Sequence, residues 1–334
     1  MTRKVALVTG VGGQDGSYMA EFLLKKGYEV VGVIRRNAIR SLGNAAHLEN
    51  DIDIEEGDIT DATSMFRIIQ RSKPHEIYNL AAMSHVGTSF EQPIATLNIN
   101  TMGVFNILEA VKTLGYSTRI FQASTSELWG DSPPPQDEET VMRPRSPYAI
   151  AKLASHWAVR MYRDAYKMYC CAGITHNHES VRRGPLFVTR KISLGVANVL
   201  KNPDYRIKLG NIDAARDWGF APDFVEGFWM TLQQSKPDDF VFATGEMHTV
   251  GEFIEKAFAY VGIEDWSTYI EIDRFMMRPL EVESLCGNPS RAKAVLGWEP
   301  KVKFEQLVKI MVEHDCKLLG VEDKLPKIVE KIDE

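Results

Sequence analysis

Short apolar runs alternate with amphipathic stretches through the first half of the chain. Val5 to Thr9 is a β-branched run of the kind that fills a buried parallel strand. Ser17 to Lys26 then reads as a helix, with Met19, Ala20, Phe22, Leu23 and Leu24 on its apolar face and Gly27 closing it. Further strands are predicted at Glu29 to Ile34, Ile52 to Ile59, His75 to Ala82, Ile120 to Ser124 and Tyr169 to Thr175. Helices are predicted at Ala62 to Arg71, Ile94 to Leu114 and Ser146 to Met168, with Pro147 well placed to start the last. In Ile94 to Leu114 the residues Leu97, Thr101, Val104, Phe105, Leu108 and Val111 recur at helical spacing, which predicts one continuous helix with that stripe in the core. Repeated strand–helix alternation predicts an α/β fold, a doubly wound parallel sheet.

After Ile174 the alternation lapses. Phe187 to Lys201 still reads as a helix, but the rest of the chain has no simple period. Two domains are expected: one over residues 1–176, rejoined by about 215–246, and a smaller, mostly C-terminal α/β domain over 177–214 and 247–334. Lys317 to Glu334 reads as a charged, frayed tail. Pro133-Pro134-Pro135 reads as a stiff loop.

Composition excludes more than it selects. The chain has 334 residues, 44% hydrophobic and 25% charged, an ordinary globular profile. Its 39 basic and 45 acidic residues give a net charge of −6, which is no footprint for nucleic acid. The 4 cysteines, Cys170, Cys171, Cys286 and Cys316, lack zinc spacing, and no metal site is expected. A strand at Val5 leaves no room for a signal peptide, and no apolar run of membrane-spanning length is expected, so the cytoplasm is the expected location and no membrane partner is foreseen.

The turn after the first strand, Gly10-Val11-Gly12-Gly13-Gln14-Asp15-Gly16, places glycines at 10, 13 and 16. Between a strand and a helix, such a turn aims backbone amides and a helix N-terminus at a pyrophosphate. The second strand ends in Arg35-Arg36 where a cofactor without a 2′-phosphate would meet an acidic residue. A guanidinium fork suits that phosphate, which points to NADP; a solvated basic pair is the other reading. Asp58 and Ile59 end the third strand, and Leu80, Ala81, Ala82, Met83 and Ser84 end the fourth with small residues that permit close approach of a cofactor. His85 follows, read as loop packing rather than catalysis.

The most informative stretch runs from Ser124 to Lys152. Thr125, Ser126 and Glu127 stand at the mouth of the fifth strand, where parallel sheets bind ligands. Tyr148 and Lys152 share a helix face, and an ammonium beside a phenol favours the phenolate. Tyr148 is thus a candidate proton shuttle and Glu127 a second acid/base group. A Tyr-x-x-x-Lys pair alone is also met as an exposed helix pair. Past the sixth strand, Asn177-His178-Glu179-Ser180 and Arg182-Arg183 are expected to line the site, and Arg190, Arg216 and Arg278 would suit a nucleotide diphosphate if their forks converge.

These stretches resemble the extended short-chain dehydrogenase/reductase superfamily over essentially the whole chain, and within it the GDP-mannose 4,6-dehydratase family. The carrying stretches are Thr9-Gly10 to Gly16-Ser17, Arg35-Arg36, Ala123 to Leu128, Pro144 to Tyr148, Asn177 to Ser180, Phe187 to Lys191, Arg216 to Gly219 and Arg278-Pro279. The resemblance implies a Rossmann-type fold and a tightly held NADP, reduced and reoxidised in each turnover. It implies that Gly10 to Gly16, Arg35, Arg36, Asp58, Ile59, Leu80 to Ser84, Tyr148, Lys152, His178 and Arg183 contact that cofactor. Thr125, Glu127, Tyr148 and Lys152 would be catalytic, and Ser126, Asn177, Val188, Lys191, Gly210, Arg216, Arg278 and Glu281 would meet the sugar nucleotide. GDP-mannose is the implied substrate, lost water the implied by-product, and a homodimer or homotetramer the implied assembly. The same dehydration of a GDP-heptose and a 4-epimerase or reductase are the alternatives; Glu127, a base for C5, favours dehydration. The chain departs from the family's pattern at Thr175-His176, at Val181 and in the loop Asn37-Ala38-Ile39-Arg40-Ser41.

Overall fold

The structure, a computed structural model, describes residues 3–36 and 41–326. Residues 37–40 of the loop just named, and residues 327–334 of the expected tail, lie outside the described residues.

Seven strands form the central sheet: β1 (Val5–Thr9), β2 (Glu29–Ile34), β3 (Asp53–Glu56), β4 (Glu76–Asn79), β5 (Arg119–Ala123), β6 (Cys170–Thr175) and β7 (Phe240–Phe242). Their order is β7-β6-β5-β4-β1-β2-β3, and every pairing is parallel. Because β-branched and aromatic side chains fill both faces, helices must cover both. Helices Gln14–Lys25 and Ala221–Leu232 cover one face, where Phe121 stacks on Phe228 at 4.5 Å. Helices Ala62–Ser72, Gly103–Leu114 and Pro147–Tyr166 cover the other. A separate core lies among helices Val188–Lys201, Val250–Tyr260 and Phe304–Leu318. Strand order reverses between β1 and β4, so the carboxyl ends of β1, β4, β5 and β6 frame one crevice.

The expected elements form, with four instructive differences. The first helix starts at Gln14, inside the glycine turn, three residues before the expected Ser17. The third and fourth strands are shorter than expected and give way to extended loops carrying Asp58 and Leu80 to Ser84. The helix over Pro93–Leu114 is interrupted by a π turn at Asn98–Met102. One extra residue in that turn shifts the buried stripe onto Thr96, Asn100, Gly103, Val104, Ile107, Leu108 and Val111, leaving Leu97 and Thr101 half-buried at its margin. By length and composition this helix could cross a membrane, contrary to expectation, but its apolar stripe packs against the sheet and the Ala62–Ser72 helix. Finally, the supposed tail is ordered structure as far as it is described: Lys317 and Leu318 end a helix, and Glu322–Lys324 form a 3₁₀ turn.

Candidate active site

The glycine turn is tight enough to exclude side chains. Gly10 has φ +67°, and a Cβ there would lie 2.9 Å from the Cα of Ala81; one on Gly12 would lie 2.7 Å from the carbonyl of Leu42. A Cβ on Gly16 would run into the carbonyl of Gly10. The turn thus presents backbone at the N-terminus of the Gln14–Lys25 helix, and it lies against the end of β4. Thr9 fixes that neighbour, its Oγ1 accepting from the amides of both Leu80 and Ala81 at 3.2 Å. Asn100 does the same one step on, accepting from the Met83 amide at 2.8 Å and donating to its carbonyl at 3.0 Å. Ala82 is half-buried beside them and Ser84 is exposed. This cradle fits a dinucleotide.

The turn is also pinned from the far side of the sheet. Gln14 donates to the carbonyl of His178 at 3.0 Å and accepts from Ser180 Oγ at 2.8 Å. Asp15 Oδ2 meets His178 Nε2 at 2.9 Å. Burial opposes the Asp15 charge, but His178, Gln14 and Arg183 outweigh it and hold the carboxyl down at about 2. Arg35 and Arg36 stand exposed at the end of β2, with Arg36 3.8 Å from Glu56. Asp58 accepts from the amide and hydroxyl of Thr60, while Ile59 turns its side chain into the core under Gly103.

At the mouth of β5, Thr125 caps a short 3₁₀ turn, Ser126–Leu128, accepting from the Glu127 amide at 3.3 Å. Leu128 and Trp129 anchor that turn in the core, so Ser126 and Glu127 are held at the crevice and largely buried. Ser146 caps the next helix through the Ala149 amide, with Pro147 behind it, which puts Tyr148 at the helix start and Lys152 one turn on. Thr125, Glu127, Arg183 and Asp15 all act on the Tyr148 hydroxyl: Thr125 and Arg183 favour its charged form, while Glu127 and Asp15 oppose it. The ammonium of Lys152 donates to the Ala123 carbonyl at 2.8 Å and lies 5.9 Å from the centre of the Tyr148 ring.

The sequence expectation that Lys152 lowers the Tyr148 pKa is not met in the protein alone. Burial dominates: it pushes the phenol up to about 12 and the ammonium down to about 8.

Opposite Tyr148, four charges form a chain. Arg278 Nη1 lies 3.6 Å from Glu127 Oε1 and 3.2 Å from Glu281 Oε1, and Arg216 Nη2 lies 3.1 Å from the same Glu281 oxygen. Arg216 comes from the Ala215–Arg216 strand, held between His248–Thr249 and Ser284–Leu285. Further out, Lys191 reaches Met276 at 3.6 Å, and a Cβ on Gly210 would lie 2.9 Å from the Met276 carbonyl. Val188 is half-buried at the head of the same helix as Lys191. His85 feels Arg278, Lys191 and Arg183 together, which ties the outer cations to the crevice; burial first, then these charges, push its pKa down.

Residues 7–311 match the family described as GDP-mannose 4,6 dehydratase. The chain belongs to the GDP-mannose 4,6-dehydratase family. It is 49% identical over 328 residues to GDP-mannose 4,6 dehydratase 1 of Arabidopsis thaliana, covering 95% of this chain and 91% of that one. It is 45% identical over 344 residues to GDP-mannose 4,6 dehydratase of Homo sapiens, covering 95% and 92%. Among solved structures, UDP-glucose 4-epimerase of Thermus thermophilus in complex with NAD superposes with a TM-score of 0.82 at 25% identity, covering 93% of this chain and 98% of that one. The dTDP-glucose 4,6-dehydratase of Bacillus anthracis, in complex with NAD, shares the fold with a TM-score of 0.82 at 22% identity, covering 94% and 97%.

In this dehydratase family member the arginines divide. Arg216 and Arg278 converge, but Arg190 does not join them. It pairs with buried Asp315 at 2.7 Å and donates to the Val181 carbonyl, fastening the Val188–Lys201 helix to Phe304–Leu318. Glu179 likewise braces the site: it accepts from Thr189 at 2.6 Å and pairs with Arg183 at 3.0 Å, while Asn177 and His178 pair in register with Trp218 and Gly219. His85 caps the Val86–Glu91 helix and packs edge-on against Phe187, the loop role expected of it. Thr9, Asn100 and Asp217 went unread in the sequence. Asp217 accepts from the amides of Thr244, Gly245 and Gly287 behind Arg216, and no spacing signal marks partners so distant.

Proposed function

We propose that this chain converts GDP-D-mannose to GDP-4-dehydro-6-deoxy-D-mannose and water, using NADP as a resident cofactor. Beyond family membership, the observation that carries the reading is a buried carboxylate, Glu127, on the turn at the mouth of β5, packed against the helix that carries a buried phenol, Tyr148, and close enough for its charge to act on that phenol. The glycine turn, Leu80 to Ser84, Lys152, His178 and Arg183 would hold the cofactor, and the exposed Arg35-Arg36 pair supports a 2′-phosphate and so NADP over NAD. When bound, the cofactor supplies a hydride acceptor for C4 and returns that hydride to C6.

The chain's own residues handle protons. Tyr148 takes the proton of the C4 hydroxyl, with Lys152 and Thr125 beside it to stabilise the phenolate. A C4 ketone acidifies the C5 hydrogen, and Glu127 removes it as general base. Glu127 then returns that proton to the departing C6 hydroxyl, which leaves as water, with Thr125 steadying the oxygen. The proton that Tyr148 took from the C4 hydroxyl passes to C5 as the hydride returns to C6, which restores the phenolate and closes the cycle. Arg216, Arg278 and Lys191 would hold the nucleotide diphosphate through charge-assisted hydrogen bonds.

The test is a mass-resolved assay over several sugar nucleotides without added cofactor. Loss of one water from GDP-mannose supports the proposal. An unchanged mass with altered stereochemistry would mean epimerisation, and preference for a GDP-heptose would move the substrate.

The helices that face away from the crevice support a homodimer. Ile150, Trp157 and Met161 share an exposed face of Pro147–Tyr166, beside exposed Ile94 and Met102 on the adjacent helix. Two copies pairing through these helices would bury that surface. We further assign residues 1–176 with about 215–246 to cofactor binding, and 177–214 with 247–334 to the sugar nucleotide.

A further inference from the structure

Arg216 and Arg278 share one oxygen of Glu281, yet they are held very differently. Arg216 is fixed: its strand is paired on both sides, its side chain is buried, and it also donates to the Ala215 carbonyl at 2.9 Å and the Glu283 carbonyl at 3.4 Å. Arg278 stands in the irregular segment between the Arg274–Met276 turn and the Ser284–Leu285 strand, and its side chain is 29% exposed. Its polar contacts among the described residues are the two carboxylates, Glu281 at 3.2 Å and Glu127 at 3.6 Å. One movable cation is therefore divided between the general base and a carboxylate outside the chemistry.

Two guanidiniums and two carboxylates balance in this cluster. A dianion entering it must take a cation from a carboxylate, and the side chain free to turn is Arg278. We propose that Arg278 is a positioning residue that passes from Glu127 to the diphosphate of the incoming sugar nucleotide, so that the base is released only once a diphosphate occupies the cluster. The inference rests on the dehydratase reading above and adds a trigger to it. The longer of its two contacts is the one to the base, as release requires. With Arg278 turned away, the C5–H bond breaks, its proton goes to Glu127, and its electron pair passes into the enolate at C4. The C6–O bond then breaks with the Glu127 proton transferred to the leaving oxygen, so the step needs no further reactant.

The direct test is the reactivity of Glu127 toward a water-soluble carbodiimide in the holoenzyme, read by peptide mass and normalised to exposed Glu305. Inorganic pyrophosphate, which is too small to cover the sugar subsite as well, should speed Glu127 labelling severalfold in the wild type. It should have no such effect in Arg278→Met, where labelling is fast throughout. No change, or slower labelling, with pyrophosphate in the wild type overturns the proposal. A kinetic arm follows deuterium uptake at C5 of GDP-4-dehydro-6-deoxymannose in D2O. Arg278→Met should raise the half-saturating concentration about tenfold or more, with Arg278→Lys between it and the wild type. If the loss falls instead on the saturating exchange rate, Arg278 is needed on Glu127 during the chemistry and the proposal is wrong. Wild type that releases no water from GDP-mannose would sink the function itself, a different failure from either of these.

Discussion

Asp15 and His178 meet at 2.9 Å although 163 residues separate them, and the other ring nitrogen of His178 faces the carbonyl of His176 at 2.7 Å. Both nitrogens face acceptors, an arrangement that favours the doubly protonated ring. Burial works against that charge, yet Asp15 raises the His178 pKa above the usual imidazole value. The pair welds the glycine turn to the segment that follows β6.

Its pH dependence follows from the two directions. The Asp15 contribution is present above the ordinary carboxylate range and is lost as pH falls toward about 2. The His178 contribution is full below the ordinary imidazole range and is lost as pH rises through its raised pKa. Asp15→Asn should therefore cost about 1–3 kcal/mol of unfolding free energy near pH 6, and visibly less near pH 9. Urea unfolding at the two pH values checks this; an equal loss at both would show that the pair's charge is not what matters.

Glu127 and Tyr148 should fail at different steps. Tyr148→Phe should lower turnover about 10²–10⁴-fold by slowing the C4 oxidation that begins it, so that no reduced cofactor accumulates. Glu127→Gln should stop water release while C4 oxidation persists, seen as reduced cofactor absorbance on adding substrate. Dehydration at the normal rate in Glu127→Gln would remove the assigned base.

In protein stripped of cofactor, Tyr148 should stay protonated through neutral pH, because burial raises its pKa to about 12. The tyrosinate difference spectra of wild type and Tyr148→Phe should coincide up to about pH 9. A wild-type excess below that pH would mean that Lys152 activates the phenol unaided.

Arg35→Asp should lower the preference for NADP over NAD by about ten- to a hundredfold, the worth of one or two charge-assisted hydrogen bonds. Calorimetric titration of the stripped protein with each cofactor measures it. An unchanged ratio would leave Arg35 a solvated surface residue.

Trp157→Glu should split the proposed dimer, since it sets like charges on a two-fold face. Sedimentation should show monomers, with the fold intact by circular dichroism. Persistence of the dimer would move the interface elsewhere.

What the chain disclosed in advance depended on range. β1, β2, β5 and β6 were legible because short, mostly apolar runs between turns have few other uses, and the glycine turn because its neighbours gave it a context. β7 was missed: three residues, Phe240–Phe242, carry no period. The π turn was missed because a one-residue slip leaves helical spacing plausible on either side of it. Arg190 and Arg216 look alike along the chain. Only the fold reveals that Asp315 claims the first, while the second faces the crevice. The Tyr148–Lys152 spacing was readable, but the burial that governs both groups was not.

The late arrival of β7 constrains how the molecule can be made. A chain stopped after His176 would carry six strands and leave Cys170 to Thr175 as a bare margin of open amides and carbonyls, ready to recruit another chain. The missing neighbour is delivered only after everything from Asn177 to Asp239 has been synthesised. A fragment ending at His176 is thus expected to be insoluble when expressed by itself, and a ribosome-bound chain has to guard that margin until the excursion returns.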